Sequence, residues 1–123
     1  FTIPSSITTD TNLSEYDTGI SVEIIPAVQN CNANLFLDQS ETARTITDNE
    51  IEYSIASTTG AAAGNIYEEQ VWAIPGANPC VAIRYLLHSG NIYNYPQGAV
   101  REFDRDALLN QFDKIRKSLI ISP

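Results

Sequence analysis

The 123-residue chain has no methionine, one histidine, one tryptophan, two cysteines and only seven Lys or Arg residues. Each scarcity removes a class of protein. Against fifteen Asp and Glu the formal charge is −8. Such a surface repels nucleic-acid phosphates and anionic lipid head groups, so no nucleic-acid partner is expected. The few cations form no patch: Arg44 and Arg84 stand alone, and Arg101, Arg105, Lys114, Arg116 and Lys117 lie on or near one predicted helix. A lone His88 cannot build a zinc site without carboxylates or the cysteines, and Cys31 and Cys80 lack the paired spacing of zinc ligands. Neither a metal nor another cofactor is expected. No apolar run approaches the 18 or so residues of a spanning helix, so no membrane span is expected. A removed leader or a lipid anchor is compatible with the sequence.

What is present fits one folded domain. The hydrophobic fraction of 43% is ordinary, and a chain of this length can bury about two thirds of its unfolded surface. The two cysteines suit a single long-range disulfide, with two buried free thiols as the alternative. A Cys31–Cys80 bridge would close a loop of about 50 residues, worth ~4 kcal/mol by chain entropy. The opening FTIPSSITTDTNLSEYDTG, residues 1–19, is rich in Ser and Thr and starts without methionine. It reads as a polar, partly flexible lead-in or exported stalk before a domain over 20–123, and the missing methionine fits either a trimmed chain or a mature chain whose leader has been removed. Asn12-Leu13-Ser14 is a formal glycosylation sequon.

The hydrophobic pattern is mostly of period two. In residues 20–27 Ile20, Val22 and Ile24 alternate with Ser21 and Glu23, and Pro26 ends the run. The clearest alternation is 50–57, with Ile51, Tyr53 and Ile55 opposed to Glu50, Glu52 and Ser54. Residues 66–88 predict a β-hairpin around Pro75-Gly76, a good type II turn pair. Its second arm, 81–87, is apolar on both faces apart from Arg84 and predicts a strand covered on both sides. Residues 33–38 look like a short strand, 40–44 like a helical turn, and 58–65 like a flexible loop or short helix. The stretch 103–120 predicts a helix. Asp104 is suited to the N-cap, Phe103 and Leu108 have staple spacing, and Leu108, Phe112, Ile115 and Leu119 form an apolar stripe. Strands followed by a terminal helix predict an α+β fold: a largely antiparallel sheet packed by a C-terminal helix, with one disulfide.

No motif announces a reaction. Ser89 beside His88 points to the opposite face of a strand, so the two make no nucleophilic pair. Glu50 and Glu52 would share a strand face about 7 Å apart, which reads as a solvated sheet face and not a glycosidase pair. Gly60 and Gly64 bound GAAAG, which lacks the Lys and Ser/Thr of a phosphate loop. No catalytic residue is assigned. The stretch HSGNIYNYPQGAV (88–100) is richer, and His88, Tyr93 and Tyr95 are its candidate binding residues. Tyrosines in such loops offer rigid contact area with a polar handle.

The stretch from Cys80 to Leu119 carries a resemblance. A cysteine opens an apolar strand, H-S-x-N-I-x-N-Y-P-x-G-x-V follows from His88, then F-D-x-x-A-L from Phe103 and F-D-x-I-R-x-S-L from Phe112. This third of the chain resembles small exported bacterial proteins of uncharacterised function. The resemblance implies export, suits a Cys31–Cys80 pairing, and carries no reaction. The ending FDKIRKSLI and the element order are also similar to the PsbP-like fold, with no functional residue carried over. The expectation is a secreted, periplasmic or envelope-associated, non-catalytic binding or structural domain whose partner is an unidentified protein or small molecule. The alternative is a small hydrolase or ligand carrier using the 88–100 loop.

Overall fold

The computed structural model describes residues 2–26, 30–38 and 42–119. Among these, five strands form one antiparallel sheet: β1 (Leu13–Ile25), β2 (Arg44–Asp48), β3 (Ile51–Ala62), β4 (Asn65–Ala73) and β5 (Cys80–Gly90), ordered β1-β5-β4-β3-β2. A one-turn helix α1 (Ser5–Thr8) precedes the sheet and α2 (Arg105–Ser118) follows it. The α+β architecture, the terminal helix and the Cys31–Cys80 disulfide are those expected.

Alternation along the strands makes two unlike faces. Tyr53, Ile55, Trp72, Ile83, Tyr85 and Leu87 point to one side and pack with Leu108 and Phe112 of α2. The other side is built small, from Ala56, Val71, Ala73, Cys80 and Ala82, beneath Cys31 and Ala33. Small side chains let the 30–38 segment lie close over the sheet, where the disulfide ties it and Ala33 N–H bonds Ser54 Oγ at 3.0 Å.

The turns follow backbone chemistry. Ala77 N–H returns to Ile74 C=O at 3.2 Å and Gly76 has φ +80°, as a type II turn requires. Asn49-Glu50 and Ala63-Gly64 each place two residues at positive φ between directly paired neighbours, the tight hairpin form whose twist matches the strands. The second of these corrects the loop expected at 58–65. Gly60 and Ala61 are ladder residues opposite Tyr67 and Ile66; cross-strand partners, not intrinsic propensity, hold them extended. The strand expected at 33–38 is instead a 3₁₀ turn, Ala33–Phe36. Asn32 caps it by accepting from Asn34 N–H at 2.9 Å, the side-chain competition that draws asparagine-rich chain away from a ladder. Of the helical turn expected at 40–44, residues 39–41 lie outside the described residues, and Arg44 opens β2.

Residues 2–19 are more than a lead-in. Ile3, Ile7 and Leu13 join the core with Leu87, Phe103 and Leu108, and the expected boundary at residue 19 falls inside β1. Asn12 is buried; its amide donates to Gly90 C=O at 2.7 Å and its oxygen accepts from Phe103 N–H at 2.9 Å. The sequon asparagine thus joins the chain's start to its later half, and its nitrogen is occupied.

In α2, Asp104 caps Ala107 N–H at 3.0 Å, and Phe103 and Leu108 are both buried, as the staple predicts. The apolar stripe differs at its third position: Leu108 and Phe112 are followed by Arg116, not Ile115, among the buried residues of the helix. Only 1% of the Arg116 side chain is exposed. Its guanidinium carbon lies 3.8 Å from the Trp72 ring centroid and 4.8 Å from that of Tyr53. Nε donates to Tyr85 Oη at 2.8 Å and Nη2 to Asp48 at 2.7 Å, while Tyr85 donates to Asp113 at 2.7 Å. Nη1 has no hydrogen-bond partner; the aromatic faces are its surroundings. Burial works against the Arg116 charge, but these bonds outweigh it and hold its pKa above the usual arginine value. Burial pushes the Tyr85 phenol up, so it remains a donor to Asp113.

Candidate recognition site at the His88 end of the sheet

Four pieces of chain meet where β5 ends. β1 bulges here: Ser14 pairs with His88 and Gly19 with Leu86, so residues 15–18 stand opposite Leu87 alone, an excess of three on the β1 side. Thr18 bridges the gap. Its hydroxyl accepts from His88 N–H at 2.9 Å and donates to His88 C=O at 3.2 Å, replacing the missing ladder bonds. Asp17 then meets His88 Nδ1 at 2.7 Å. From the other side Asn65, first residue of β4, places Oδ1 2.9 Å from His88 Nε2. Asn65 Nδ2 points back to Ala62 and Ala63 carbonyls, which sets the amide's orientation. Tyr67 stacks on the imidazole, ring centroids 4.3 Å apart. Both ring nitrogens therefore face oxygen atoms. Ser89 is buried, its side chain on the opposite face of β5.

His88 thus works as a keystone between β1, β4 and β5. Replacing Thr18 by valine, which keeps shape and removes both bonds, is expected to cost about 1–3 kcal/mol in urea unfolding, because it leaves the His88 peptide groups unpaired at a buried position.

The bulge carries Tyr16 outward, 99% exposed. Beyond Gly90 the chain makes a 3₁₀ turn, Ile92–Asn94, capped by Asn91 Oδ1, which accepts from Tyr93 N–H at 3.0 Å. The turn is clamped on both sides. Asn91 N–H and Asn94 Nδ2 both donate to Gly64 C=O, at 2.8 and 2.9 Å. Tyr95 folds back over Gly90. A Cβ at Gly64, whose φ of +82° favours glycine, would sit 2.4 Å from Asn94 Nδ2, and one at Gly90 2.4 Å from the Tyr95 hydroxyl, so a side chain at either position would displace these side-chain ends. Tyr93, between the clamps, is 91% exposed.

The three candidate residues share this end of the molecule but not one pocket. Tyr93 and Tyr95 line a shallow hollow of about 320 Å³ with Ile92, Pro96, Gln97 and Val100. His88 lies on the disulfide face against Tyr67. On that face a wider groove of about 610 Å³ runs over Arg84, between Phe36 and Asp38 on one side and Thr58, Gly60, Tyr67 and Glu69 on the other. Arg84 is occupied: its Nε meets Glu23 at 2.5 Å, Nη2 donates to Glu23 and to Phe36 C=O at 3.0 and 2.6 Å, and Nη1 donates to Glu69. The Arg84 hydrogen bond holds the Glu23 carboxyl below the usual glutamate range.

The acidic pairs separate. Glu50 stands in a turn at φ +66° while Glu52 lies in β3, so the shared face expected of them does not form. Glu68 and Glu69 diverge, to Arg105 at 2.8 Å and to Arg84. Among the described residues, no group of three His, Cys, Asp or Glu side chains converges to hold a metal ion. Asp17, Thr18 and Asn65 are the site residues that sequence reasoning missed. The single sequence signal for Arg84 was its isolation in an apolar strand.

Fold and site together define a single-sheet α+β domain, disulfide-tied on one face and helix-packed on the other, with two exposed tyrosines on braced backbone at one end. Comparison with family models, with curated proteins and with solved structures finds no match to this chain.

Proposed function

We propose that the protein is an extracytoplasmic, non-catalytic recognition domain, and that Tyr93, with Tyr16 and Tyr95, is its contact surface. The observation that carries this reading is the 91% exposure of Tyr93 on a turn held at both ends. An exposed tyrosine adds little to the fold, whereas a tyrosine on a braced turn presents contact area without an ordering cost at binding. The disulfide supports a location outside the reducing cytosol. No helix among the described residues is long and apolar enough to cross a membrane. The hydrolase alternative needs an imidazole nitrogen facing a substrate, and both nitrogens of His88 are already engaged.

Immobilised wild-type protein is expected to capture a defined component from envelope or extracellular fractions. Tyr93→Ala should lose at least about tenfold of that capture, while Lys114→Ala, an exposed change on α2, should retain it. Equal capture by all three proteins would sink the proposal.

A further inference from the structure

We infer that the outer edge of β1 is a self-association surface, pairing antiparallel with the same segment of a second copy of this chain about a twofold axis at Val22. β1 and β2 are the two edges of the sheet. β2 has five residues, short enough to be a poor template. The chain just before β1 is already covered: Asn12 N–H bonds Arg101 C=O at 3.1 Å and Arg101 N–H bonds Asp10 C=O at 2.9 Å. Gly19–Ile25, between the bulge and Pro26, has no partner strand on its outer side among the described residues. No lysine or proline guards it. On its helix-side face Val22 is 52% and Ile24 60% exposed, while α2 contacts Tyr85 of β5 and Asp48, Tyr53, Glu68 and Trp72 of the strands beyond it.

The segment is complementary to itself in one register. With the axis at Val22, Ile20 lies opposite Ile24 of the copy, and Ser21 opposite Glu23. Ile20, Val22 and Ile24 then form one apolar strip with their mates, and each Glu23, already paired with its own Arg84, faces a serine hydroxyl. An axis at Glu23 would put two carboxylates directly opposite, which is destabilising. An axis at Ser21 would set Ile24 against the bulge. A slip by one residue would oppose apolar to polar side chains. Charge and pattern together select the second copy as occupant. Seven paired residues per chain bury less than the roughly 1,000 Å² of a stable interface, so association should be reversible and concentration-dependent.

Sedimentation velocity across a concentration series tests this. Wild type should shift from monomer to dimer, and Val22→Lys, which places two ammonium groups at the axis, should weaken the dimer by about tenfold or more with an unchanged far-UV circular dichroism spectrum. Val22→Cys supplies a register test independent of that variant. Its two Cα atoms would be about 4.5–5.5 Å apart across the axis, within disulfide reach, so mild oxidation should cross-link it. Ile24→Cys, about 13 Å from its mate by strand rise, should not cross-link. A wild type that stays monomeric to about 1 mM, a Val22→Lys protein that dimerises as well as wild type, or equal cross-linking of the two cysteine variants would overturn the inference.

Discussion

Replacing Arg116 by alanine is expected to lower stability by about 3–5 kcal/mol in urea unfolding, the range for removing one partner of a buried charged network. Two losses combine. The guanidinium between Trp72 and Tyr53 leaves a void, and Tyr85 and Asp48 lose their donors. Arg116→Met separates them, because it refills the volume without the charge. Tyr85 would still donate to Asp113, and Asp48, with a third of its side chain exposed, can turn to water. The methionine variant is therefore expected to lose about half as much or less. A methionine variant as unstable as the alanine variant would show that charge, not packing, dominates. The same network gives an acid signature. The hydrogen bond from Arg116 holds the Asp48 carboxyl below the usual aspartate value. A carboxyl lowered in the folded state stabilises in full above its ordinary pKa of about 3.9, and that contribution is lost as pH falls through the lowered value. Wild type should lead Asp48→Asn in stability at neutral pH, and the lead should vanish on acidification.

Opening the Cys31–Cys80 bridge is expected to cost about 4 kcal/mol, because the partners are 49 residues apart and the bridge restricts the unfolded chain accordingly. A Cys31→Ala/Cys80→Ala double variant, unfolded in urea beside wild type with and without reductant, measures it. Reduced wild type should match the double variant. Stability is only one readout. The bridge also holds the 30–38 segment over the alanines of the sheet and supplies the Phe36 carbonyl to Arg84. The variant is therefore expected to expose the groove over Arg84 and to bind a hydrophobic dye more strongly at neutral pH. An unchanged unfolding midpoint would mean that the small-residue face alone fixes the segment.

Several elements of this fold could be read in advance because their causes are local. Period two in Ile51, Tyr53 and Ile55 puts these residues on the helix-packed face, and Pro75-Gly76 turns the β4–β5 hairpin. Asp104 and the Phe103–Leu108 staple start α2 where their spacing says. Two cysteines admit only one intramolecular bridge.

Other features were decided by partners far along the chain, and no window of sequence contains them. The sequence placed Arg116 only on or near the terminal helix; the rings of Trp72 and Tyr53 and the carboxylate of Asp48 make its burial favourable. Gly60 and Ala61 lack strand propensity and are extended because β4 pairs with them. His88 had no partner in sequence; Asp17 lies 71 residues away and Asn65 23. A three-residue excess in β1 and the first residue after a tight turn bring those two side chains to its nitrogens. The sequence alone determined the apolar face of Ile51, Tyr53 and Ile55, the turn at Pro75-Gly76 and the start of α2, since side-chain alternation, turn chemistry and capping act over a few residues. The tertiary structure alone decided which charges are buried and what His88 does, since register and desolvation depend on the whole sheet.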